Sequence, residues 1–251
     1  MNKLLLAGKV ILISGATGGI GGACALEASR EGAIVCLLGR NKEKLNQIQE
    51  ALSGSMSRSY LLELTDEDAL NGVIFEIVKE FGRIDGFIHA AGTEITKPLR
   101  NTTRDDFVSL FEINTVSAFL IIKAILRLCK KSESLSFVLI SSVMGELGER
   151  GKIAYCASKG ALISSMKALS LEIAPKNHRI NCISPGVVET EMVSKMMKDF
   201  PPDMKEDIIN QHPLGIGEPQ DIAYLSTFLL SPNAKWITGS NFIIDGGYSA
   251  R

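Results

Sequence analysis

Short apolar runs and longer helical segments alternate along the whole chain. The runs are rich in β-branched residues and almost wholly apolar, which is typical of strands covered on both faces of a parallel sheet. They predict strands over residues 9–14, 34–38, 59–64, 86–90, 136–141, 179–184 and 241–245. The segments between them predict helices over residues 20–31, 42–52, 66–81, 104–130, 154–174 and 219–229. This order predicts one α/β, doubly wound parallel sheet of seven strands with helices on both faces.

Residues 190–213 interrupt this regular order. Here polar residues mix with Met192, Met196, Met197 and Met204, and two prolines are adjacent at positions 201 and 202. Because methionine adapts to varied apolar partners, one interpretation is a mobile lid over a substrate. The alternative is a pair of surface helices that pack through their methionines. The length of 251 residues fits one domain over residues 1–251 that includes this segment.

Composition narrows the partners and the location. The 27 basic and 28 acidic residues form no long block of like charge, so neither nucleic acid nor a membrane is expected as a partner. Five separated cysteines without a Cys-x-x-Cys pair suggest neither disulfides nor a metal site. The apolar N-terminus contains Lys9 and lacks a cleavage site, and residues 116–128 are too few to span a bilayer. We therefore expect a soluble, cytoplasmic protein that acts on a small molecule.

A glycine-rich turn follows the first predicted strand and leads at once into a helix. It reads Ser14-Gly15-Ala16-Thr17-Gly18-Gly19-Ile20-Gly21. In this setting we expect a tight turn at Gly15, close approach of a phosphate at Gly19 and close packing of helix on strand at Gly21. The amides at the helix N-terminus would bind a pyrophosphate. The turn therefore predicts a Rossmann-type dinucleotide-binding fold.

The end of the second strand indicates which dinucleotide is preferred. An acidic residue there would hold the ribose hydroxyls of NAD, whereas a basic residue would accept the extra phosphate of NADP. The chain has Arg40 at this point and no acid. Arg40 offers a bidentate, charge-assisted grip on a phosphate, or else it is a solvated arginine beside the helix cap at Asn41. We expect NADP, with NAD as the alternative.

Tyr155 and Lys159 stand four residues apart and therefore share one helix face. A free tyrosine has a pKa of about 10, and acid–base work on a carbonyl or an alcohol is easier if this value falls toward 7. An ammonium group about 4 Å away supplies on the order of 4 kcal/mol, which is enough. Ser141 and Ser142 end a predicted strand, where α/β sheets present ligand-binding groups and a hydroxyl can hold a substrate oxygen.

Together these residues resemble the short-chain dehydrogenase/reductase family over essentially the whole chain. The shared motifs are the glycine turn, Asn114, Ser142 thirteen residues before Tyr155, Lys159, Pro185-Gly186 with Thr190, and Asp245-Gly246-Gly247. The resemblance implies a catalytic set of Asn114, Ser142, Tyr155 and Lys159. In that set Tyr155 is the acid/base, Ser142 steadies the substrate oxygen, Lys159 lowers the tyrosine pKa and holds the nicotinamide ribose, and Asn114 positions a water that links Lys159 to solvent.

The resemblance also implies the residues that contact the cofactor. They are Gly15, Thr17, Gly19, Ile20, Gly21, Arg40, Leu64, Ala91, Gly92, Tyr155, Lys159, Pro185, Gly186, Val188 and Thr190. Three positions depart from the family pattern. The usual Asn-Asn-Ala-Gly begins with His89 here, which we interpret as a core histidine. Gly18 stands where a basic residue is common, so Arg40 alone would carry the NADP preference, and Glu63 replaces the common Asp near the adenine.

Within the family, the pattern is most similar to 3-oxoacyl-acyl-carrier-protein reductases. Such enzymes dock an acidic carrier protein on basic residues. Arg127 matches one of these positions, whereas Leu171 occupies the other. The alternatives are a dehydrogenase of a sugar, polyol or other secondary alcohol, and a non-catalytic dinucleotide sensor, which the complete catalytic set disfavours. The resemblance also implies a homotetramer with the helices of residues 104–130 and 154–174 at its interfaces.

Overall fold

The computed structural model describes residues 4–54, 56–129, 134–198 and 200–250. It confirms the predicted sheet: all strand pairs are parallel, and the order across the sheet is β3-β2-β1-β4-β5-β6-β7. The strands are β1 Val10–Ser14, β2 Ile34–Gly39, β3 Arg58–Leu61, β4 Gly86–His89, β5 Ser136–Ile140, β6 Arg179–Pro185 and β7 Asn241–Ile244. Each lies within about a residue of its prediction except β3, which is shorter and starts one residue earlier.

The helices cover both faces of this sheet. They are α1 Gly19–Arg30, α2 Lys42–Ala51, α3 Glu67–Phe81, α4 Arg104–Phe111, α5 Ser117–Leu128, α6 Ile153–Ile173, α7 Glu191–Met197, α8 Pro202–Asn210 and α9 Pro219–Leu230. Side chains of Asn41 and Asp66 cap α2 and α3. The irregular segment of residues 190–213 thus contains two short helices, α7 and α8.

The predicted single helix over residues 104–130 is wrong in its interior. A π-helical segment, Glu112–Val116, joins α4 to α5, and its wider turn cannot be read from a 3.6-residue period. The last predicted residue, Lys130, lies outside the described residues. The continuous helix Arg104–Leu128 is longer than the apolar stretch of residues 116–128, so by length and composition alone it qualifies as a candidate membrane span. Half of that window is buried in this fold, where α5 packs against α3 and α4 against α6.

Two apolar clusters lie on opposite faces of the sheet. Because successive strand residues point to opposite faces, Leu12 and Phe87 belong to the cluster under α3, α5 and α6, whereas Ile13 and Ile88 belong to the one under α1 and α9. Strands β1, β4, β5 and β6 are buried along their whole length, as the unbroken apolar runs predicted, whereas the edge strands β3 and β7 are only partly buried. Because all strands are parallel, their carboxyl ends meet at one edge, where Ser14, His89, Ser141 and Pro185 lie.

Candidate active site

The glycine turn packs tightly against its neighbours. Gly15 has a positive φ of 69° and lies so close to the backbone of Ala91 that a side chain there would collide with it. A Cβ at Gly21 would likewise collide with the carbonyl oxygen of Gly15, so at this residue α1 packs closely against the turn. A Cβ at Gly19 would lie 2.8 Å from Cγ2 of Thr190, so the turn also contacts the residue that begins α7.

The start of α1 suits a dinucleotide phosphate. The N-cap of α1 is Gly18, which has no side chain to cap the helix, and no side-chain cap of α1 is made within the described part of the chain. The amides of a first helical turn carry the positive end of the helix dipole and attract anions. Thr17 adjoins the end of β2, where a Cβ on Gly39 would lie 2.9 Å from its methyl group. The turn therefore lies beside the strand end that carries Arg40. The turn and Arg40 suit the dinucleotide that the sequence predicts.

Arg40 is accessible but already has a partner. Its Nη1 lies 3.4 Å from Oε2 of Glu63, and the side chains are 67% and 48% exposed. A surface pair at this distance contributes little to stability and exchanges readily. Leu64, the next residue after Glu63, is buried. Arg40 can thus reach an anion at the end of β2 only in competition with the carboxylate of Glu63.

Ser142, Tyr155 and Lys159 come together at the carboxyl end of β5. Ser142 follows that strand, accepts a hydrogen bond from the amide of Met144 (3.2 Å), and lies near enough to Tyr155 for its hydroxyl to lower the pKa of the phenol. Lys159 donates from Nζ to the carbonyl of Ile140 (2.8 Å), and its Nζ lies 5.9 Å from the centre of the Tyr155 ring. The neighbouring Ser141 instead donates to the carbonyl of Lys159 (3.0 Å) and so anchors α6 to the sheet. Of the two serines, only Ser142 reaches the tyrosine.

The electrostatic setting of Tyr155 differs from the sequence expectation. Desolvation by its surroundings, followed by the negative charge of Glu94, raises the pKa of Tyr155 to about 12. The Ser142 hydrogen bond and the Lys152 cation oppose this shift. Burial lowers the pKa of Lys159 to about 8. The direction at Tyr155 is therefore opposite to the one expected, because the cost of burying the phenolate exceeds what the nearby cations offset.

Asn114 lies in the π-helical segment and is completely buried. Its Oδ1 accepts from the amide of Thr93 (2.8 Å), and its Nδ2 donates to the carbonyl of Thr93 and to Oγ of Ser158, both at 3.0 Å. Both amide hydrogens are thus used. A water that the side chain of Asn114 positions, as the resemblance implies, would therefore have to donate to the second lone pair of Oδ1.

Gly92 and His89 complete the wall behind Lys159. A Cβ at Gly92 would lie 3.3 Å from Nζ of Lys159 and 3.4 Å from Oδ1 of Asn114, so a side chain here would be tightly packed against both. His89 is completely buried, and its Nδ1 lies 2.9 Å from Oγ of Ser14. Burial, and then the charge of Lys159, lowers the pKa of His89 to about 3, so this histidine is neutral at physiological pH. This agrees with the interpretation of His89 as a core residue.

A cavity of about 400 Å³ opens in front of Ser142 and Tyr155. The predicted cofactor residues on its wall are Ile20, Pro185, Gly186, Val188 and Thr190, and α7 and α8 line the opposite side with residues that include Met192 and Met204. The side chain of Met196 lies outside the described residues. Arg40 and Leu64 lie at the ends of β2 and β3, outside this wall. Across the described ranges, His, Cys, Asp and Glu form no cluster suited to a metal ion.

Sequence reasoning missed two groups on the cavity wall. One is an ion-paired set of Glu94, Glu149 and Lys152; the only signal for it is that Lys152 precedes Tyr155 by three residues. The other is His212, which accepts from the amide of Val187 at Nε2 (3.2 Å), lies 2.8 Å from the carbonyl of Ile208 at Nδ1, and stacks on Tyr248. His212 thereby ties the end of α8 to the loop after β6.

The sheet has this strand order, a glycine turn at its first crossover and a serine–tyrosine–lysine group at its carboxyl edge. These features together define an oxidoreductase with a dinucleotide-binding fold. The chain belongs to the short-chain dehydrogenase/reductase family: a family model described as enoyl-(acyl carrier protein) reductase matches residues 15–249.

Curated relatives match nearly the full length of the chain. A 3-oxoacyl-[acyl-carrier-protein] reductase, FabG, of Thermotoga maritima is 34% identical, and the match covers 96% of this chain and 98% of the relative. A cyclopentanol dehydrogenase of Comamonas sp. is 32% identical and covers 96% and 97%. The crystal structure of gox2181 superposes with a TM-score of 0.92 over 99% of this chain and 98% of that one, at 24% identity, which supports the fold alone.

Proposed function

We propose that the protein transfers a hydride between NADPH and a ketone or its secondary alcohol, with Tyr155 as the acid/base. The observation that carries this proposal is that Ser142 and Tyr155 line one cavity at the carboxyl edge of the sheet, with Nζ of the buried Lys159 5.9 Å from the centre of the Tyr155 ring. The glycine turn, Ala91, Gly92 and the loop from Pro185 to Thr190 would hold the dinucleotide. Ile20 and that loop line the cavity, Gly19 contacts Thr190, Gly15 packs on Ala91, and Gly92 lies beside Lys159. When bound, the nicotinamide supplies or accepts the hydride.

The residues of the site handle the proton. With a pKa of about 12, Tyr155 is protonated at neutral pH and can donate its proton to a carbonyl oxygen. The hydroxyl of Ser142, on the same cavity wall as Tyr155, would donate its one hydrogen to the same substrate oxygen and stabilise the charge that develops there. Lys159 stands behind the tyrosine as the nearest ammonium group of α6 and would restore its proton. Asn114 holds the loop at Thr93 that closes this side of the site.

Tyr155→Phe tests this assignment. It removes the acidic hydroxyl but keeps the ring, so we expect turnover to fall by about 10³-fold or more while nucleotide affinity changes little. The assay follows nucleotide absorbance with NADPH and NADH against ketones, 3-oxoacyl thioesters and sugars, and binding is measured by calorimetry. Wild-type protein that turns over no carbonyl compound with either nucleotide would contradict the proposal. In that case a non-catalytic dinucleotide sensor becomes the better interpretation of this protein's function.

The proposed preference for NADP over NAD rests on Arg40 alone. Arg40→Ala should weaken NADPH binding by at least about 10-fold and leave NADH binding nearly unchanged, because only the extra phosphate of NADPH needs the guanidinium group. Glu63→Gln is the matched control. It frees Arg40 from its carboxylate partner, so NADPH affinity should rise. If Arg40→Ala loses affinity for NADPH and NADH equally, Arg40 does not select between the two nucleotides.

Two substrate classes are proposed. The first is a 3-oxoacyl thioester on acyl-carrier protein, supported by the FabG relatives and by Arg127 on the surface. Arg127 already donates to Asn71 (3.0 Å), and Leu171, at the second expected docking position, is a 78% exposed apolar residue. The second class is a sugar, polyol or other secondary alcohol. The cyclopentanol dehydrogenase relative and the charged set on the cavity wall support it.

A cytoplasmic homotetramer with a lid over residues 190–213 completes the proposal. Val108 and Val116 on the helix Arg104–Leu128 and Leu171 on α6 are exposed apolar residues at the expected interfaces. Sedimentation at several protein concentrations measures the assembly. Helices α7 and α8 cover the cavity from one side, which is where a lid would act.

A further inference from the structure

A charged set lies on the wall of the cavity, among apolar side chains. Nζ of Lys152 lies 3.1 Å from Oε1 of Glu94 and 2.9 Å from Oε2 of Glu149. The side chains of Lys152 and Glu94 are only 13% and 18% exposed, and that of Glu149 is 46% exposed. Withdrawing charges from water costs free energy even when they are paired, so their presence beside the reacting group calls for an explanation.

Holding the two loops together does not require this set. Glu94 belongs to the loop after β4 and Lys152 to the loop before α6. The amide of Lys97 already joins these loops by donating to the carbonyl of Gly151 (2.8 Å). A separate ion pair between Lys97 and Asp106 (2.7 Å) fixes the first loop to the start of α4, outside the cavity.

The set leaves one donor and one acceptor side by side. An ammonium group has three hydrogens, and Lys152 uses two of them on the carboxylates of Glu94 and Glu149. Oε1 of Glu94 also accepts from Oγ1 of Thr96 (3.0 Å), whereas no hydrogen bond to its Oε2 is made by the described part of the chain. A hydroxyl group is both donor and acceptor, so it can satisfy Oε2 of Glu94 and the third hydrogen of Lys152 together.

Other polar groups fit this place less well. Two carboxylates surround one ammonium group, so the set is negative and disfavours a carboxylate or phosphate on the substrate. Arg150, the other cation on the wall, is exposed at the rim. A bare carbonyl, such as that of a thioester, would use Lys152 and leave the acceptor of Glu94 unsatisfied.

We propose that Glu94 and Lys152 bind a hydroxyl group of the substrate close to the reacting carbon, so that the preferred substrates are hydroxyketones and the corresponding diols. This inference rests on the proposed function, since it assumes that Tyr155 marks the reacting carbon. It selects the second of the two substrate classes. Lys152, three residues before Tyr155 at the start of α6, is within reach of a neighbouring carbon of the same substrate.

A matched pair of ketones tests the proposal. With the nucleotide that the wild type uses, kcat/KM is measured for 2-hydroxycyclopentanone and for cyclopentanone. We expect the wild type to prefer the hydroxylated ketone by at least about 10-fold, because a site that bonds a hydroxyl rejects the analogue without it. In Lys152→Met and in Glu94→Met this ratio should fall to nearly 1, with the loss mainly in KM. Lys97→Met is the control, since it breaks an ion pair of the same loop outside the cavity and should keep the ratio.

The outcomes separate this inference from the proposed function. A wild type that reduces both ketones equally well overturns the inference and leaves the function intact, and so do variants that lose both activities in parallel. A 3-oxoacyl thioester analogue that depends on Lys152 but not on Glu94 also overturns it, because the donor alone would then be in use. A wild type without activity on any carbonyl compound is instead the failure of the proposed function.

Discussion

At Tyr155 the surroundings of the phenol favour one direction of the proposed reaction over the other. Burial and Glu94 hold the pKa at about 12, while Lys152 and Ser142 act against them. A tyrosine of this kind gives up a proton to a substrate oxygen more readily than it accepts one from an alcohol near neutral pH. Lys159, with a pKa near 8, changes its charge within the range that an assay can reach.

These values predict opposite pH profiles for the two directions. Ketone reduction should be constant at low pH and fall above about pH 8, where Lys159 loses its proton and no longer restores that of Tyr155. Alcohol oxidation should rise with pH, since it needs the deprotonated phenol. The measurement is kcat/KM from pH 6 to pH 10 in both directions. Reduction that stays constant to pH 10 would argue against a role for Lys159 in the proton path.

At the scale of elements, the glycine turn, α1 and α7 meet at one point. Gly19, the first residue of α1, leaves no room for a side chain beside Thr190, and Thr190 caps α7 through a hydrogen bond from Val193 (3.3 Å). A side chain at position 19 would push this cap away from the turn. The proposed dinucleotide site and the helix α7 beside the cavity therefore contact each other directly at Gly19 and Thr190.

Gly19→Ala should consequently raise the KM for the nucleotide by at least about 10-fold, because Thr190 must move and the amides of α1 become less accessible. Gly72→Ala is the matched control. Gly72 lies inside α3 with open space around its Cα, so alanine there should stabilise the fold by about 0.5–1 kcal/mol and leave the KM unchanged. Unchanged nucleotide kinetics in Gly19→Ala would mean that Thr190 moves freely.

Sequence patterns predicted the elements well where one physical signal dominates. Unbroken apolar runs gave the strands, and the spacing of Tyr155 and Lys159 together with the strand end at Ser142 gave the reacting group. The π-helical segment and the set of Glu94 with Lys152 were missed. The first has no period of its own in the sequence, and the second depends on how closely two loops approach. The direction of the Tyr155 pKa was missed as well, since desolvation depends on packing that no spacing reports.

At the scale of the whole molecule, one buried side chain makes stability fall in acid. The pKa of His89 is about 3 in the folded protein and 6.5 without burial. Its neutral form thus contributes stability that is fully present above pH 6.5 and is lost as the pH falls toward 3. The loss amounts to about 1.4 kcal/mol per pH unit across this window.

His89→Asn should remove this dependence. Urea unfolding at pH 7.5 and at pH 4 measures it, and the wild type should lose roughly 3 kcal/mol more than the variant between these two pH values. The comparison of the two differences cancels the titration of other groups, which both proteins share. Parallel losses would show that His89 titrates normally in the folded state.

The π-helical segment has one more effect, on which faces of the continuous helix Arg104–Leu128 contact its neighbours. A single wide turn equals one extra residue, and one residue of an α-helix corresponds to a rotation of about 100°. The stripe of residues that α4 turns toward α6 is therefore not continued in α5, whose stripe faces α3 and the sheet. One unbroken rod of residues 104–128 thus serves two different neighbours. Deleting a single residue from residues 112–116 would keep the helix continuous but rotate α5 relative to α4. The apolar stripe of one of them would then no longer face its neighbour.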